Sequence, residues 1–138
     1  MKRQKCLNNS NILLSLLKQQ PSEIRAKPPM FEQIFKLAEE NKAGFTVYIP
    51  SLEFVKHGWV IANMATQNMF GKDGLTKVIE FAMKHNRILG GYMNTSGIFQ
   101  FDASIVEPNE QRAIALMLLH DQDCIYNLNT KKIIWNDR

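Results

Sequence analysis

The chain is poor in cysteine and contains no long apolar segment. Its 138 residues include two cysteines, Cys6 and Cys124, and neither has a partner at the spacing of a metal site. Free thiols in a reducing cytoplasm are therefore expected, with no metal and no cofactor. No run reaches the roughly 18 apolar residues of a transmembrane helix, so no membrane association is predicted. The basic stretch 1–5 precedes only a short apolar run without a small-residue cleavage site, which predicts no export signal.

The positive charge is concentrated at the start of the chain. The formal net charge is +4, but residues 1–29 alone contain six basic side chains and one acidic side chain. The remainder, residues 30–138, carries 11 basic and 12 acidic side chains. This larger part therefore offers no strong electrostatic surface for nucleic acid.

Residues 1–29 are predicted to form a basic N-terminal arm, and residues 30–138 a single α+β domain. The arm contains a short amphipathic helix over 10–20, which is too short to be stable alone in water. Pro28 and Pro29 stiffen the junction. A basic apolar arm is typical of a segment that holds a second copy of the chain, another protein or nucleic acid, and the alternative is a solvated terminus. The residues proposed to make these contacts are Lys2, Arg3, Lys5, Leu13, Leu16 and Leu17.

Apolar periodicity and turn residues predict the elements of the larger domain. They are a helix over 30–41, strands over 44–49 and 58–62, a polar connection over 63–72, a helix over 73–85, a hairpin over 88–106, a helix that begins at 107–110, and strands over 124–128 and 132–135. From residue 58 onward the order is strand, helix, strand, strand, helix, strand, which is the split βαβ arrangement (βαββαβ) of ferredoxin-like folds. We therefore predict an α+β fold with a mainly antiparallel sheet and helices packed on one face. An extra helix and strand precede this core, and an extra strand follows it.

The hairpin is expected to lie at the centre of the sheet. Residues after its turn alternate between apolar and polar, so one face is core and the other is polar. A turn in which Asn94 pairs with Gly97 sets Gly90 opposite Phe101 on the apolar face. In this register Gly91 opens the polar face.

Five residues are candidates for binding a small polar ligand. Thr66, Gln67 and Asn68 follow each other in the polar connection, close to the start of the next helix. Asp102 stands in mid-strand, where β propensity disfavours aspartate, and Gly91 lies beside it on the polar face. The alternatives are that the loop side chains satisfy backbone groups, that Gly91 marks a bulge, and that Asp102 accepts structural hydrogen bonds.

No arrangement of residues points clearly to catalysis. His57, His85 and His120 are scattered and lack positioned partners. Cys124 lies near His120, but nothing beside it would lower the pKa of its thiol. The sequence therefore predicts no catalytic residue and no metal ligand, and enzymatic activity through Asp102 stays open.

Several motifs, in this order, resemble a family of small proteins and domains that bacterial phages, plasmids and conjugative elements carry. The resemblance covers about residues 44–128, and the motifs are Gly44-Phe-Thr-Val, Gly58-Trp-Val-Ile-Ala, Thr66-Gln-Asn-Met-Phe-Gly71, Gly74-Leu-Thr-Lys-Val-Ile79, Gly90-Gly-Tyr, Phe101-Asp102 and Ala113-Ile114. This resemblance implies an origin in a mobile genetic element and assigns no activity.

These observations support three hypotheses. The first is a non-enzymatic accessory domain of a bacterial mobile element that binds a protein partner or self-associates through the arm. The second is a nucleic-acid-binding protein that uses the basic arm. The third is a small-ligand-binding domain or an enzyme with its site near Thr66, Asn68 and Asp102.

Overall fold

The structure, a computed structural model, describes residues 27–138, and residues 37–138 form one compact unit. The described residues form three helices and seven strands: α1 (Lys27–Glu40), β1 (Phe45–Tyr48), β2 (Trp59–Ala62), β3 (Met69–Phe70), α2 (Gly71–Met83), β4 (Ile88–Met93), β5 (Phe99–Glu107), α3 (Glu110–Leu119), β6 (Cys124–Asn127) and β7 (Ile133–Trp135). The fold is α+β, as predicted. None of the helices in this part of the chain has the length and hydropathy needed to cross a membrane.

The strands form one sheet in the order β1-β4-β5-β2-β6-β7, and each paired neighbour runs antiparallel. Strand β5 is the centre of this sheet. One of its edges pairs with β4, while the other pairs with β2 near its end and with β3 near its start. Strands β2 and β3 therefore follow each other along the same edge of β5.

Side chains alternate between the two faces of β5, as the sequence predicts. Phe101 is 2% exposed and lies on the same face as the buried Ala103. Asp102 and Ser104 lie on the opposite face. The core face is extended by Trp59 and Ile61 of β2, which pack in one apolar cluster with residues of α3 and β6, namely Ala113, Met117 and Ile125.

The helices bury the residues that their periodicity indicates, with one exception. In α2, the positions spaced i, i+3, i+4 and i+7 are all buried: Leu75, Val78, Ile79 and Ala82. Residues 113–119 of α3 are apolar nearly all round, which predicts a largely buried helix. This prediction is wrong for its last turn, because Leu118 and Leu119 are 60% and 69% exposed.

The predicted register of the hairpin is wrong by one residue. The backbone N–H of Asn94 donates to the carbonyl of Ile98, and the N–H of Gly97 donates to the carbonyl of Asn94, so three residues rather than two lie in the turn. Gly97 adopts φ +82°, which suits the left-handed position of a three-residue loop. A shift of one residue moves each side chain to the other face. Gly91 therefore lies opposite Phe101, and Gly90 lies opposite Asp102.

Other boundaries also differ from the prediction. The connection 63–72 is not irregular throughout, because a 3₁₀ turn (Met64–Thr66) and β3 lie within it. Helix α2, predicted to begin at residue 73, begins at Gly71, so Asp73 lies in its first turn. Helix α3 is capped by the side chain of Asn109, which accepts from the N–H of Arg112 at 2.9 Å, whereas Glu107 belongs to β5.

Candidate functional site

The site begins where the strand β2 is interrupted. At Asn63 the backbone N–H still donates to the carbonyl of Ala103, at 2.8 Å, but the chain then enters the 3₁₀ turn. The N–H of Ala103 is left without a backbone partner on this edge and donates instead to Oγ1 of Thr66, at 2.9 Å. Thr66 is 2% exposed. Its hydroxyl therefore replaces a hydrogen bond of the sheet, which supports the structural alternative for this residue.

Gln67 and Asn68 follow Thr66 and lead the chain back to the edge of β5. Gln67 has an extended backbone after the 3₁₀ turn, and Asn68 adopts φ +58°. Asparagine tolerates this left-handed conformation better than most residues, which explains its place here. Both side chains are exposed, and both line the same cavity.

Asp102 reaches this cavity from the polar face of β5. The hydroxyl of Ser104, two residues along the strand on the same face, donates to Oδ1 of Asp102 at 2.7 Å. Gly90 lies opposite, and a Cβ atom there would stand 2.7 Å from Oγ of Ser104 and 3.2 Å from Oδ1 of Asp102. The absence of a side chain at residue 90 therefore makes room for the Asp102–Ser104 pair.

The electrostatic surroundings of Asp102 favour its protonated form. Burial raises the pKa of this carboxyl to about 6, and the hydrogen bond from Ser104 offsets only part of that effect. Among residues 27–138, no basic side chain forms an ion pair with Asp102. Asp102 is thus a carboxyl that changes charge close to neutral pH.

A cleft of about 280 Å³ joins these residues. We call it the loop–strand cleft, and three groups line it. The first comes from the interrupted strand: Ala62, Asn63, Thr66, Gln67 and Asn68. The second comes from the hairpin: Tyr92, Gln100, Phe101 and Asp102. The third comes from the turn after α3 and from the end of the sequence: Asp121, Gln122, Asp123 and Arg138.

The third group is held together by the guanidinium of Arg138. Its Nη2 lies 2.6 Å from Oδ1 of Asp123, and its Nε lies 3.4 Å from Oδ1 of Asp121. Its Nη1 donates to the carbonyl of Gln122 at 3.0 Å. The single cation of the lining is therefore already paired with two of its three carboxylates.

Tyr92 brings an aromatic ring to the same cleft. Its hydroxyl donates to Oε1 of Gln100 at 3.2 Å, and its side chain is exposed by nearly half. Burial raises the pKa of this phenol, and the carboxylates of Asp102 and Asp123 raise it further. Tyr92 therefore stays protonated and can donate a hydrogen bond or offer its ring face to a ligand.

Four of the five predicted ligand-binding residues line the cleft: Thr66, Gln67, Asn68 and Asp102. The fifth, Gly91, does not, because the shifted register places it on the core face, where a Cβ atom would overlap the ring of Phe99. The residues missed from the sequence are Tyr92, Gln100 and the third group. A correct turn length would have placed Tyr92 on the polar face beside Gln100, whereas no local pattern brings residues 121–123 to β5. The predicted contacts of the arm lie outside the described residues.

His120 and Cys124 are the other groups considered from the sequence, and each lies in a defined environment. His120 accepts a hydrogen bond at Nδ1 from the N–H of Met64, at 3.1 Å. Burial raises the pKa of the Cys124 thiol, and the nearby Asp123 raises it further. Within residues 27–138, no three His, Cys, Asp or Glu side chains are grouped in a way that could hold a metal ion.

No known protein family, curated protein or solved structure matches this chain. The chemistry of the loop–strand cleft follows from its lining: amide groups at Asn63, Gln67, Asn68, Gln100 and Gln122, three carboxyl groups and one phenol. Amides both donate and accept hydrogen bonds, and ionised carboxylates only accept. With three carboxylates and one paired guanidinium, the cleft favours a ligand that donates hydrogen bonds.

Proposed function

We propose that this protein binds a small polar ligand with a positively charged donor, an amine or a guanidinium, in the loop–strand cleft. The observation that carries this proposal is that one cavity brings the loop 66–68 together with Asp102. Its volume of about 280 Å³ is near the lower end of the range for ligand sites, roughly 300–1,000 Å³. The ligand is therefore of metabolite size.

The positive charge of the ligand is inferred from Asp102. A carboxylate that is removed from water without a cation is destabilised in its ionised form, as its raised pKa indicates. An ammonium or guanidinium group beside Asp102 would stabilise that form through a charge-assisted hydrogen bond. Arg138 already makes such contacts with Asp121 and Asp123 and is an example of the same chemistry within the cleft.

The proposal concerns binding rather than catalysis. Among the described residues, the lining of the cleft contains no histidine, cysteine or lysine that could act with Asp102 in proton transfer or nucleophilic attack. The hydroxyl of Thr66 is committed to the backbone of Ala103. This supports a ligand-binding accessory role, in line with the absence of a catalytic motif in the sequence.

The proposal is tested by NMR titration of the ¹⁵N-labelled full chain. The probes are agmatine, which has an amine and a guanidinium, n-butylamine, and two controls, the neutral n-butanol and the anion acetate. We expect the two cations to shift the amide signals of residues 66–68 and 102, and binding to weaken as the pH falls through about 6, because Asp102 becomes protonated.

The matched variants are Asp102→Asn and Asp73→Asn. The first removes the charge from the cleft and should weaken cation binding about tenfold to a hundredfold, the range expected for a lost hydrogen bond to a charged group. The second removes an exposed charge on α2 and should leave binding unchanged. Binding of acetate in preference to the cations, or shifts confined to other surfaces, would refute the proposal.

We propose that β2, α2, β4, β5, α3 and β6 constitute a ferredoxin-like core, which the strand order β4-β5-β2-β6 supports. An origin in a bacterial mobile genetic element, a cytoplasmic location, and a protein or nucleic-acid partner held by the arm stay predictions. Size-exclusion chromatography with light scattering, on the full chain and on residues 29–138, tests the contribution of the arm to self-association.

A further inference from the structure

The two edge strands of the sheet, β1 and β7, differ in whether another segment of the chain covers them. At the β1 edge, a segment of the chain adds an extra layer of hydrogen bonds: the N–H of Tyr48 donates to the carbonyl of Glu53, and the N–H of Val55 donates to the carbonyl of Thr46. Val47 and Phe54 form an isolated bridge in the same place. The chain thus covers this edge itself, which is a common way to prevent pairing with other chains.

The β7 edge has no such cover within the described residues. Strand β7 pairs only with β6, with Tyr126 opposite Ile133 and Cys124 opposite Trp135. Hydrogen bonds join the flanking positions, from the N–H of Asn127 to the carbonyl of Lys132 and from the N–H of Asn136 to the carbonyl of Asp123. Because paired and unpaired positions alternate in an antiparallel ladder, the backbone groups of Ile133 and Trp135 point away from β6.

The side chains on this edge are also available for contact. Ile133 and Trp135 lie on the same face and are 46% and 63% exposed. Charge is distributed unequally along the strand: Lys131 and Lys132 precede it, whereas Asp137 follows it. The one cation at the second end, Arg138, is neutralised by its pairs with Asp121 and Asp123.

We propose that β7 pairs antiparallel with β7 of a second copy of this chain. In the register centred on Ile134, Ile133 lies opposite Trp135 of the second copy, and the outward backbone groups close about four hydrogen bonds. The same register brings the basic end of each strand, where Lys131 and Lys132 lead into β7, close to the acidic end of the other, at Asp137. A parallel arrangement would place like charges together, so the charge pattern selects the antiparallel one.

The interface formed by three-residue strands is small, so the association is weak and transient. We therefore expect a monomer–dimer equilibrium that is measurable by sedimentation velocity between about 10 μM and 1 mM of the full chain. In the same range, the amides of Ile133 and Trp135 should become more slowly exchanging as the protein concentration rises. This inference does not depend on the proposed ligand.

Charge reversal tests the register. Lys131→Glu and Asp137→Lys each place like charges opposite each other at both ends of the dimer, and each should raise the dissociation constant about tenfold. An equimolar mixture of the two variants restores opposite charges at both ends and should dimerise like the unmodified chain. Lys77→Glu, an exposed substitution on α2 with the same change in charge, is the matched control and should dimerise normally.

Three results would overturn the proposal. They are a monomer throughout the concentration range, a dimer that both charge reversals leave intact, and a mixture that dimerises no better than either variant alone. A dimer that withstands both reversals but is lost on removal of residues 1–28 would assign self-association to the arm instead.

Discussion

At the scale of single residues, Asp102 is the clearest case in which stability and the proposed binding role conflict. The pKa of its carboxyl is about 6 in the folded protein, compared with about 3.8 in the unfolded chain. Between these values the folded state binds more protons than the unfolded state, so the free energy of unfolding decreases as the pH rises from about 4 to 6. Above pH 6 the ionised carboxylate reduces stability by a constant amount. Such a cost is common for groups that serve a binding site.

Asp102→Asn should therefore increase stability at neutral pH. The amide oxygen can still accept the hydrogen bond from Ser104, and no charge is removed from water. We expect the free energy of unfolding to rise by about 2 to 3 kcal/mol at pH 7.5 and to change little at pH 4, as measured by urea denaturation. Asp137→Asn, at an exposed position, is the control. A variant with the same pH dependence as the unmodified chain would contradict the assignment of this ionisation to Asp102.

Gly91→Ala provides a second prediction, which concerns the core face. A Cβ atom at this position would overlap the ring of Phe99, so the substitution should destabilise the protein by about 1 to 3 kcal/mol, as overpacking commonly does. Phe99→Leu should relieve part of this loss, and the two changes together should cost less than the sum of each alone. Strictly additive effects in thermal or urea denaturation would show that the ring is not the source of the strain.

At the scale of elements, the interruption between β2 and β3 is stabilised by one side chain. Thr66→Val keeps the shape of the residue but leaves the buried N–H of Ala103 without an acceptor, at a cost of about 1 to 3 kcal/mol. Thr66→Ser retains the hydroxyl and should lose much less stability. Equal losses for the valine and serine variants would indicate that packing of the methyl group, rather than the hydrogen bond, holds the turn.

Most elements could be predicted from the sequence, with β3 and the 3₁₀ turn as exceptions, and the failures have local causes. The apolar stripe of α2 and the alternation along β5 follow from residue periods that tertiary contacts do not change. The prediction of the hairpin register was wrong because Asn94 and Gly97 are compatible with turns of different length. One extra residue in the turn exchanges the faces on which Gly90 and Gly91 lie. The prediction that the last turn of α3 is buried was wrong because an apolar composition does not indicate where a neighbouring element stops.

At the scale of the whole molecule, the loop–strand cleft combines stretches that are far apart in the sequence. The loop 66–68 and Asp102 could be brought together in advance, since a long polar connection and a disfavoured aspartate are visible as exceptions to local rules. The residues 121–123 and Arg138 could not, because they reach the cleft only through the path of β6 and β7. Their ion pairs are a consequence of the folded sheet and have no separate pattern in the sequence.

The sheet also predicts how stability is distributed over the molecule. Strand β5 pairs with β2, β3 and β4 and lies against α2 and α3, so its amides can exchange only when most of the sheet opens. Native-state hydrogen exchange, at a protein concentration low enough to keep the chain monomeric, should give the slowest rates at Phe101 and Ala103. The N–H groups of Ile133 and Trp135, which face away from β6, should exchange fastest among the strand residues.

Phe101→Ala, which removes a ring that is 2% exposed, should cost about 3 to 5 kcal/mol and accelerate exchange at all the slowest sites by the same factor. Acceleration confined to β5 would instead mean that the central strand opens without its neighbours.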